Sequence, residues 1–224
     1  WHRTDPSSDF IVQPGMVYIS HPTECGTIYT KSELTAIYDA CQRCGLRLFI
    51  DGARLGYGLM TDGTDVTLQD VAHLCDVFYI GGTKVGTLFG EAVVITEPAL
   101  KKDFLFMMKQ HGARLAKGRL LGIQFDALFT DDLYLKISRH AIDMAHQIRE
   151  IFVSAGYPLL FDSPTNQQYP ILPDSDLAEL GKSFGYEYWE RVDETHSGVR
   201  FCASWATTQE NVDALRAAVQ ALKK

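Results

Sequence analysis

The chain has 224 residues, of which 46% are hydrophobic and 22% charged, values typical of a globular protein with a sizeable core. Its net charge of -7 argues against a broad nucleic-acid-binding surface. The apolar runs are much shorter than a membrane span and no signal peptide is recognisable, so we expect no membrane partner and a reducing, cytoplasmic setting.

The first half of the chain alternates short apolar runs with helical patterns. Strands are predicted at residues 15–20, 46–51, 76–81 and 91–96. Helices are predicted at 31–44, with Thr30 or Ser32 as its cap and Gly45 at its end, and at 67–74. Strands that alternate with helices predict an α/β fold with a mostly parallel sheet.

From Glu97 onward the pattern changes. Pro98 can begin a helix that runs to about Gln110, and a long helical pattern over 117–155 is broken near 130–132. The remaining predicted elements are strands at QQYPIL, YEYWERV and VRFCAS, a helix at 174–184 and a terminal helix from Gln209. We therefore predict an α/β unit at 1–115, followed at 116–224 by a connecting helix and a smaller α+β unit.

Asp51 ends the second predicted strand, and Arg54 follows it closely in FIDGARLGYGLM, residues 49–60. Ligands of open α/β sheets bind outside the carboxyl ends of the strands. Asp51 is therefore a candidate for contact with a ligand.

The loop GGTKVGTLFG, residues 81–90, places Thr83 and Lys84 directly after the next strand. It lacks the GxxxxGK[ST] string of a P-loop, and it leads into a strand rather than the helix of a dinucleotide site. A partly desolvated lysine at a strand end can form a Schiff base. Enzymes that use pyridoxal phosphate (PLP) combine such a lysine with an acid on the pyridinium nitrogen, and Asp51 is suited to that role.

Each of these residues also has an ordinary interpretation. A lone aspartate after a strand is often a turn former, and a lone loop lysine or arginine is usually solvated or loosely paired. The joint placement of Asp51 and Lys84 at two neighbouring strand ends, with Arg54 close to one of them, favours function for these three residues.

The sequence predicts no metal site. Cys41 and Cys44 form a CxxC inside a predicted helix without a second pair, and no HExxH is present. His21 lies on a loop near the proposed site, where it is either an acid or base or a histidine without a role.

The strings FIDGARLGYGL, FYIGGTKVG and VRFCASWATTQENVD resemble the low-specificity threonine aldolase and β-eliminating lyase family. These are fold-type-I PLP enzymes with a large α/β domain and a smaller C-terminal domain. The resemblance implies that residues 1–115 form the C-terminal part of the large PLP-binding domain. It also implies a homodimer or homotetramer.

The resemblance further implies a role for each candidate residue. Lys84 would form the Schiff base, and Asp51 would bind the pyridinium nitrogen. Arg54 and Arg200 would bind the α-carboxylate of the substrate. Three more cofactor contacts are implied, to the phosphate from Thr83 and Arg119 and to the ring hydroxyl from Thr23. For each of these three residues a structural role is an equal alternative.

Two departures from the family pattern affect the interpretation. Family members begin with a long segment that supplies the main phosphate cup, and it has no counterpart here. If that segment is a separate chain of the same precursor, the site could still assemble. Aldolase members also often carry a Thr-His-Asn cluster where this chain has HPTECGT, so a related lyase that acts on another amino acid is an alternative to threonine cleavage.

We therefore expect a PLP-dependent lyase that performs aldol cleavage of a β-hydroxy amino acid. The alternatives with the same cofactor are a β-eliminating lyase and an aminotransferase. The alternative from another class is a non-catalytic fragment or structural subunit, which would bind no cofactor.

Overall fold

The first half of the chain folds around a four-stranded sheet in the computed structural model, which describes residue 2 and residues 4–223. Trp1 and Lys224, the outer bounds of the two predicted units, lie outside the described residues, as does Arg3. The strands are β1 (Met16–Ser20), β2 (Arg47–Asp51), β3 (Val77–Gly81) and β4 (Glu91–Ile95), in that spatial order. Strands β1 to β3 are parallel and β4 is antiparallel to β3, which confirms the predicted strands and the mostly parallel sheet.

Three helices accompany this sheet: α1 (Lys31–Cys44), α2 (Leu55–Met60) and α3 (Leu68–His73). Helix α1 begins with reciprocal hydrogen bonds between Thr30 and Glu33 and ends at Gly45, whose φ is 65°, so the predicted helix is confirmed with Thr30 as its cap. Helix α2 was not predicted from the sequence. Its LGYGLM pattern contains two glycines, and tertiary packing of buried residues compensates for their low helix propensity.

The helical segment after Glu97 is interrupted more often than its pattern predicts. A 3-10 turn at Pro98–Lys101 is separated from α4 (Phe104–Gln110) by Asp103, whose φ of 59° is left-handed, so a continuous helix from Pro98 is wrong. The predicted break near 130–132 is confirmed between α5 (Arg119–Phe129) and α6 (Leu133–Ser154).

The C-terminal elements form a second, smaller sheet. They are β5 (Gln167–Gln168), β6 (Ile171–Pro173), α7 (Asp174–Leu180), β7 (Glu187–Arg191), β8 (His196–Cys202) and α8 (Gln209–Ala221). Strand β8 pairs antiparallel with β5, β6 and β7. The predicted strands are confirmed, with QQYPIL divided into two, and the predicted helix at 174–184 is shorter than expected.

Two clusters of buried side chains form the cores, and α6 contributes to both. Ala141 and Ile142 of α6 pack with the first sheet, whereas Ile148 and Phe152 pack with the second. The position of the predicted boundary at 115/116 remains a prediction. Among the described residues, no helix is both long and apolar enough to cross a membrane.

Gly56 in α2 provides a test of the contact between α2 and α6. A Cβ at this position would lie 2.3 Å from Ser138 Oγ and 2.9 Å from the Tyr134 ring, whereas a Cβ at Gly122 of α5 would meet nothing within 4 Å. We expect Gly56→Ala to lower the free energy of unfolding by about 1–3 kcal/mol through overpacking. Gly122→Ala, the matched control, should raise it by about 0.5–1 kcal/mol because alanine favours a helix. Urea unfolding measures both, and equal effects would contradict the packing argument.

Candidate active site

The chain segments that follow β1, β2 and β3 meet at one edge of the first sheet. The Gly81 N–H donates to the Gly52 carbonyl at 2.9 Å, and the His21 N–H donates to the Asp51 carbonyl at 2.9 Å. A Cβ at Gly52 would lie 1.9 Å from the Tyr79 carbonyl oxygen, so only glycine permits this close approach. The DGAR and GGTK segments are therefore held side by side.

The Asp51 carboxylate is surrounded by donors. Its Oδ2 accepts a hydrogen bond from the Tyr18 hydroxyl at 2.5 Å and its Oδ1 accepts from the Ala53 N–H at 2.9 Å, while the Tyr79 hydroxyl also donates to it. Burial alone would raise the pKa of Asp51, but the hydrogen bonds from Tyr18 and Tyr79 outweigh it and the pKa is lowered. The Ala53 N–H and the positive charge of Lys84 act in the same direction. Asp51 is therefore ionised at neutral pH.

Lys84 has a fixed backbone and an accessible amine. Its carbonyl accepts a hydrogen bond from the hydroxyl of Tyr57, a buried residue of α2. Its side chain is exposed and has no hydrogen bond or ion pair within the described part of the chain. The amine is therefore available to a ligand near the end of β3, next to the strand that ends in Asp51.

The guanidinium groups of Arg54 and Arg200 converge on Glu24. Arg54 Nη1 lies 3.0 Å from Glu24 Oε1, and Arg200 Nη1 lies 3.3 Å from Glu24 Oε2. Arg200 also donates to Gln167 Oε1 at 2.9 Å and to the Glu187 carboxylate. The fold therefore brings together two arginines that are 146 residues apart, and a carboxylate lies between them.

The other three predicted cofactor residues form no hydrogen bond with Asp51 in the described part of the chain, and the structure shows only where each of them lies. The Thr23 hydroxyl bonds to Thr27 Oγ1 at 2.6 Å within its own loop. Thr83 is exposed beside Lys84, and Arg119 is exposed at the start of α5. Their cofactor contacts remain predictions.

His21 lies inside the protein rather than at the site surface. Its side chain is 0% exposed, and its Nδ1 accepts a long hydrogen bond of 3.4 Å from the Tyr29 N–H. Burial lowers the pKa of His21 to about 4, so the ring is neutral at neutral pH. A core histidine, rather than an acid or base, fits this position.

Four residues at the site were not predicted from the sequence: Tyr18, Tyr79, Glu24 and Gln167. The alternation of side chains along β1 and β3 would have placed the two tyrosines on one sheet face, but only the strand register brings them to Asp51. No pattern in the sequence distinguishes Glu24 or Gln167 from other polar residues.

Residues 5–218 match the family model described as beta-eliminating lyase. The chain belongs to this family. The low-specificity L-threonine aldolase of Pseudomonas aeruginosa is 31% identical over 201 residues, which are 89% of this chain and 57% of that protein. A structure of Leishmania major threonine aldolase has 41% sequence identity and a TM-score of 0.94, and the match covers 96% of this chain and 63% of that one.

These matches confirm the predicted membership of the beta-eliminating lyase family and the fold-type-I α/β architecture. A second curated relative, the low-specificity L-threonine aldolase of a Pseudomonas species, is 31% identical over 212 residues, or 94% of this chain and 60% of that protein. The chain thus spans less than two thirds of the length of each of these relatives. Across residue 2 and residues 4–223, no cluster of three or more His, Cys, Asp or Glu could hold a metal ion.

The hydrogen bonds to Asp51 lead to a titration test. We expect Tyr18→Phe and Tyr79→Phe each to raise the pKa of Asp51, because each removes a donor that stabilises the ionised carboxylate. A lowered carboxyl pKa contributes stability above the unfolded-state pKa of about 4, and this stability is lost as the pH falls through the folded-state pKa. The variants should therefore lose stability at neutral pH and approach the unsubstituted protein in acid.

Carbon-13 NMR measures the titration of the Asp51 carboxyl, and urea unfolding at neutral and at acidic pH measures the free energy of unfolding. Tyr188→Phe is the control, because Tyr188 is an exposed tyrosine of β7. An unchanged Asp51 titration in both tyrosine variants would contradict the assignment.

Proposed function

We propose that this protein is a PLP-dependent lyase that cleaves the Cα–Cβ bond of a β-hydroxy amino acid. The observation that carries the proposal is the placement of an ionised Asp51 and an unpaired Lys84 amine at neighbouring strand ends. Arg54, which follows the Asp51 strand end, shares the Glu24 carboxylate with Arg200 of β8.

The donor set around Asp51 fits a protonated pyridine nitrogen. An ionised carboxylate has about four acceptor positions. The Tyr18 hydroxyl and the Ala53 N–H take two of them, and even with Tyr79 as a further donor a position is left for an N–H of the cofactor. We propose that Lys84 Nζ binds the cofactor's carbonyl carbon. Further contacts are proposed to the phosphate, and to the ring hydroxyl, from Thr83, Arg119 and Thr23.

When bound, PLP would supply an electron sink for the pair that remains on Cα after Cα–Cβ cleavage. Asp51 would hold the proton on the ring nitrogen through a charge-assisted hydrogen bond. Arg54 and Arg200 would bind the α-carboxylate from two sides and so orient the bond that breaks.

The names of the relatives favour aldol cleavage, since the curated ones are low-specificity L-threonine aldolases and the 41%-identical structure is a threonine aldolase. The second candidate is β-elimination, in which the unpaired Lys84 amine could carry the Cα proton. The description of the matching family model as beta-eliminating lyase favours β-elimination as this second candidate. An aminotransferase and a non-catalytic subunit are outcomes of the tests below.

We also propose that the protein is a homodimer or homotetramer. Helices α4 and α5 expose large apolar side chains, which is typical of an interface: Leu105, Phe106, Leu120 and Ile123. A cytoplasmic location is proposed as well, and it agrees with the five free cysteines. Assembly with a separate N-terminal chain remains a prediction.

Borohydride trapping tests the role of Lys84. After incubation with PLP and reduction, we expect a pyridoxyl adduct on Lys84 in the peptide map, together with loss of the visible absorption. Lys84→Ala should give no adduct at this peptide. Lys182→Ala, which removes a surface lysine paired with Glu179, should label like the unsubstituted protein. An adduct confined to another lysine, or none at all, would refute the assignment.

Product analysis separates the candidate reactions. With L-threonine and PLP, we expect glycine and acetaldehyde in equal amounts, and Lys84→Ala should lower the rate by at least about a hundredfold, as loss of a covalent catalytic group usually does. Ammonia with a 2-oxo acid would instead indicate β-elimination. Transfer of the amino group to the cofactor would indicate transamination, and the absence of both a PLP adduct and turnover would favour the non-catalytic alternative.

A further inference from the structure

Glu24 occupies the position at which a carboxylate ligand would meet Arg54 and Arg200. Each carboxylate oxygen accepts from a different arginine, Oε1 from Arg54 at 3.0 Å and Oε2 from Arg200 at 3.3 Å. This arrangement, with one carboxylate shared by two guanidinium groups, is the one that a substrate α-carboxylate would require.

The two arginines need a negative charge between them. Their side chains are only 10% and 12% exposed, so two like charges are held close together with little solvent to screen them. Arg200 is also held by Glu187 through Nη2, by Gln167 through the same Nη1 that contacts Glu24, and by the Trp189 ring, 5.5 Å from the guanidinium carbon. Without an anion at the shared position, Arg54 would have no ion-pair partner among the described residues.

The Glu24 side chain can leave this position without moving its loop. The backbone carbonyl of Glu24 accepts hydrogen bonds from Gln167 Nε2 at 3.3 Å and from the Tyr169 hydroxyl. On either side of it, Thr23 N–H bonds to the Thr27 carbonyl at 2.9 Å and Ser163 Oγ bonds to the Gly26 carbonyl at 3.2 Å. The Glu24 side chain itself is 60% exposed, so rotation into solvent meets little obstruction.

We propose that Glu24 is a displaceable internal occupant of the substrate-carboxylate site. In the ligand-free protein it holds Arg54 and Arg200 in their binding positions, and the α-carboxylate of the substrate replaces it. The inference depends on the proposed function only in that these two arginines bind the substrate carboxylate. Glu24 is thus a positioning residue that acts through the arginines.

A consequence for specificity follows from the charge that remains nearby. The displaced Glu24 stays attached to the same loop, and Glu187 stays paired with Arg200. These two negative charges oppose a second carboxylate on the ligand. The site therefore selects amino acids with a single carboxylate over dicarboxylic ones.

Carboxylate binding in the absence of PLP tests the inference. Ligand-observed NMR titrations with propionate would be compared for the unsubstituted protein, Glu24→Gln and Glu187→Gln. Glu187→Gln is the matched control because it changes the net charge equally but removes a carboxylate that contacts only Arg200. We expect Glu24→Gln to bind propionate about three- to tenfold more tightly, since it removes a competing carboxylate whose side chain is 60% exposed and therefore contributes modestly. Glu187→Gln should change the affinity by less than about twofold.

Two further measurements locate the binding and test its specificity. Adding Arg54→Gln to Glu24→Gln should abolish the gain, which places propionate at the arginine pair. With succinate as a second probe, Glu24→Gln should reduce the preference of the protein for propionate.

Equal or weaker propionate binding by Glu24→Gln would overturn the inference, and so would an equal gain in Glu187→Gln. A merely structural Glu24 predicts loss of affinity together with lower stability in urea, and no gain. The titration contains no PLP, so its result is independent of the trapping at Lys84. A gain in Glu24→Gln without a Lys84 adduct would reject the PLP assignment alone, and an adduct without the gain would reject the role of Glu24 alone.

Discussion

The contact between the backbones of Gly52 and Gly81 is the constraint on which the candidate site depends. It joins the ends of two parallel strands beyond the last residues of their ladder, at 2.9 Å from N–H to carbonyl oxygen. Asp51 immediately precedes Gly52, and Lys84 lies three residues after Gly81. Because neither backbone can shift without breaking this contact, the Asp51 carboxylate and the backbone that carries Lys84 have a fixed relation before any ligand binds.

The parts of this arrangement that follow from local rules could be predicted from the sequence. Apolar runs gave β1 to β4, the Thr30–Glu33 pattern and Gly45 gave the two ends of α1, and parallel strands necessarily place Asp51 and Lys84 at the same edge. The motifs that contain Asp51 and Lys84 also predicted the family to which the chain belongs. The unpredicted features depend on contacts between distant residues or on unusual backbone angles.

Glu24 and Asp103 illustrate why local patterns fail. Glu24 reaches Arg200 across 176 residues of sequence, and only the docking of β8 near the loop after β1 creates that contact. Asp103 adopts a left-handed φ of 59° in a stretch whose composition is typical of a helix. Aspartate can adopt either left-handed or helical backbone angles, so its presence does not predict the interruption. The hydrogen bonds from Tyr18 and Tyr79 to Asp51 similarly depend on the register of three strands.

The charged groups at the site differ in the kind of partner that stabilises them. The negative charge of Asp51 is stabilised by hydroxyl and backbone donors, whereas the arginines are compensated by Glu24 and Glu187. Lys84 alone among these groups has an exposed side chain without a hydrogen bond or ion pair in the described part of the chain. The group proposed to form a covalent bond is therefore the one that no internal partner restrains, while the groups proposed to orient the ligand are already ordered.

Helix α6 has a consequence for the energetics of ligand binding, because it contributes side chains to both cores. Arg54 lies next to Leu55 of the first core, and Arg200 lies between Val199 and Phe201 of the second. A carboxylate held by both arginines therefore binds only when the two cores are folded and docked. Such a ligand opposes local opening of either unit. Its binding is therefore expected to slow amide hydrogen exchange in both halves of the chain.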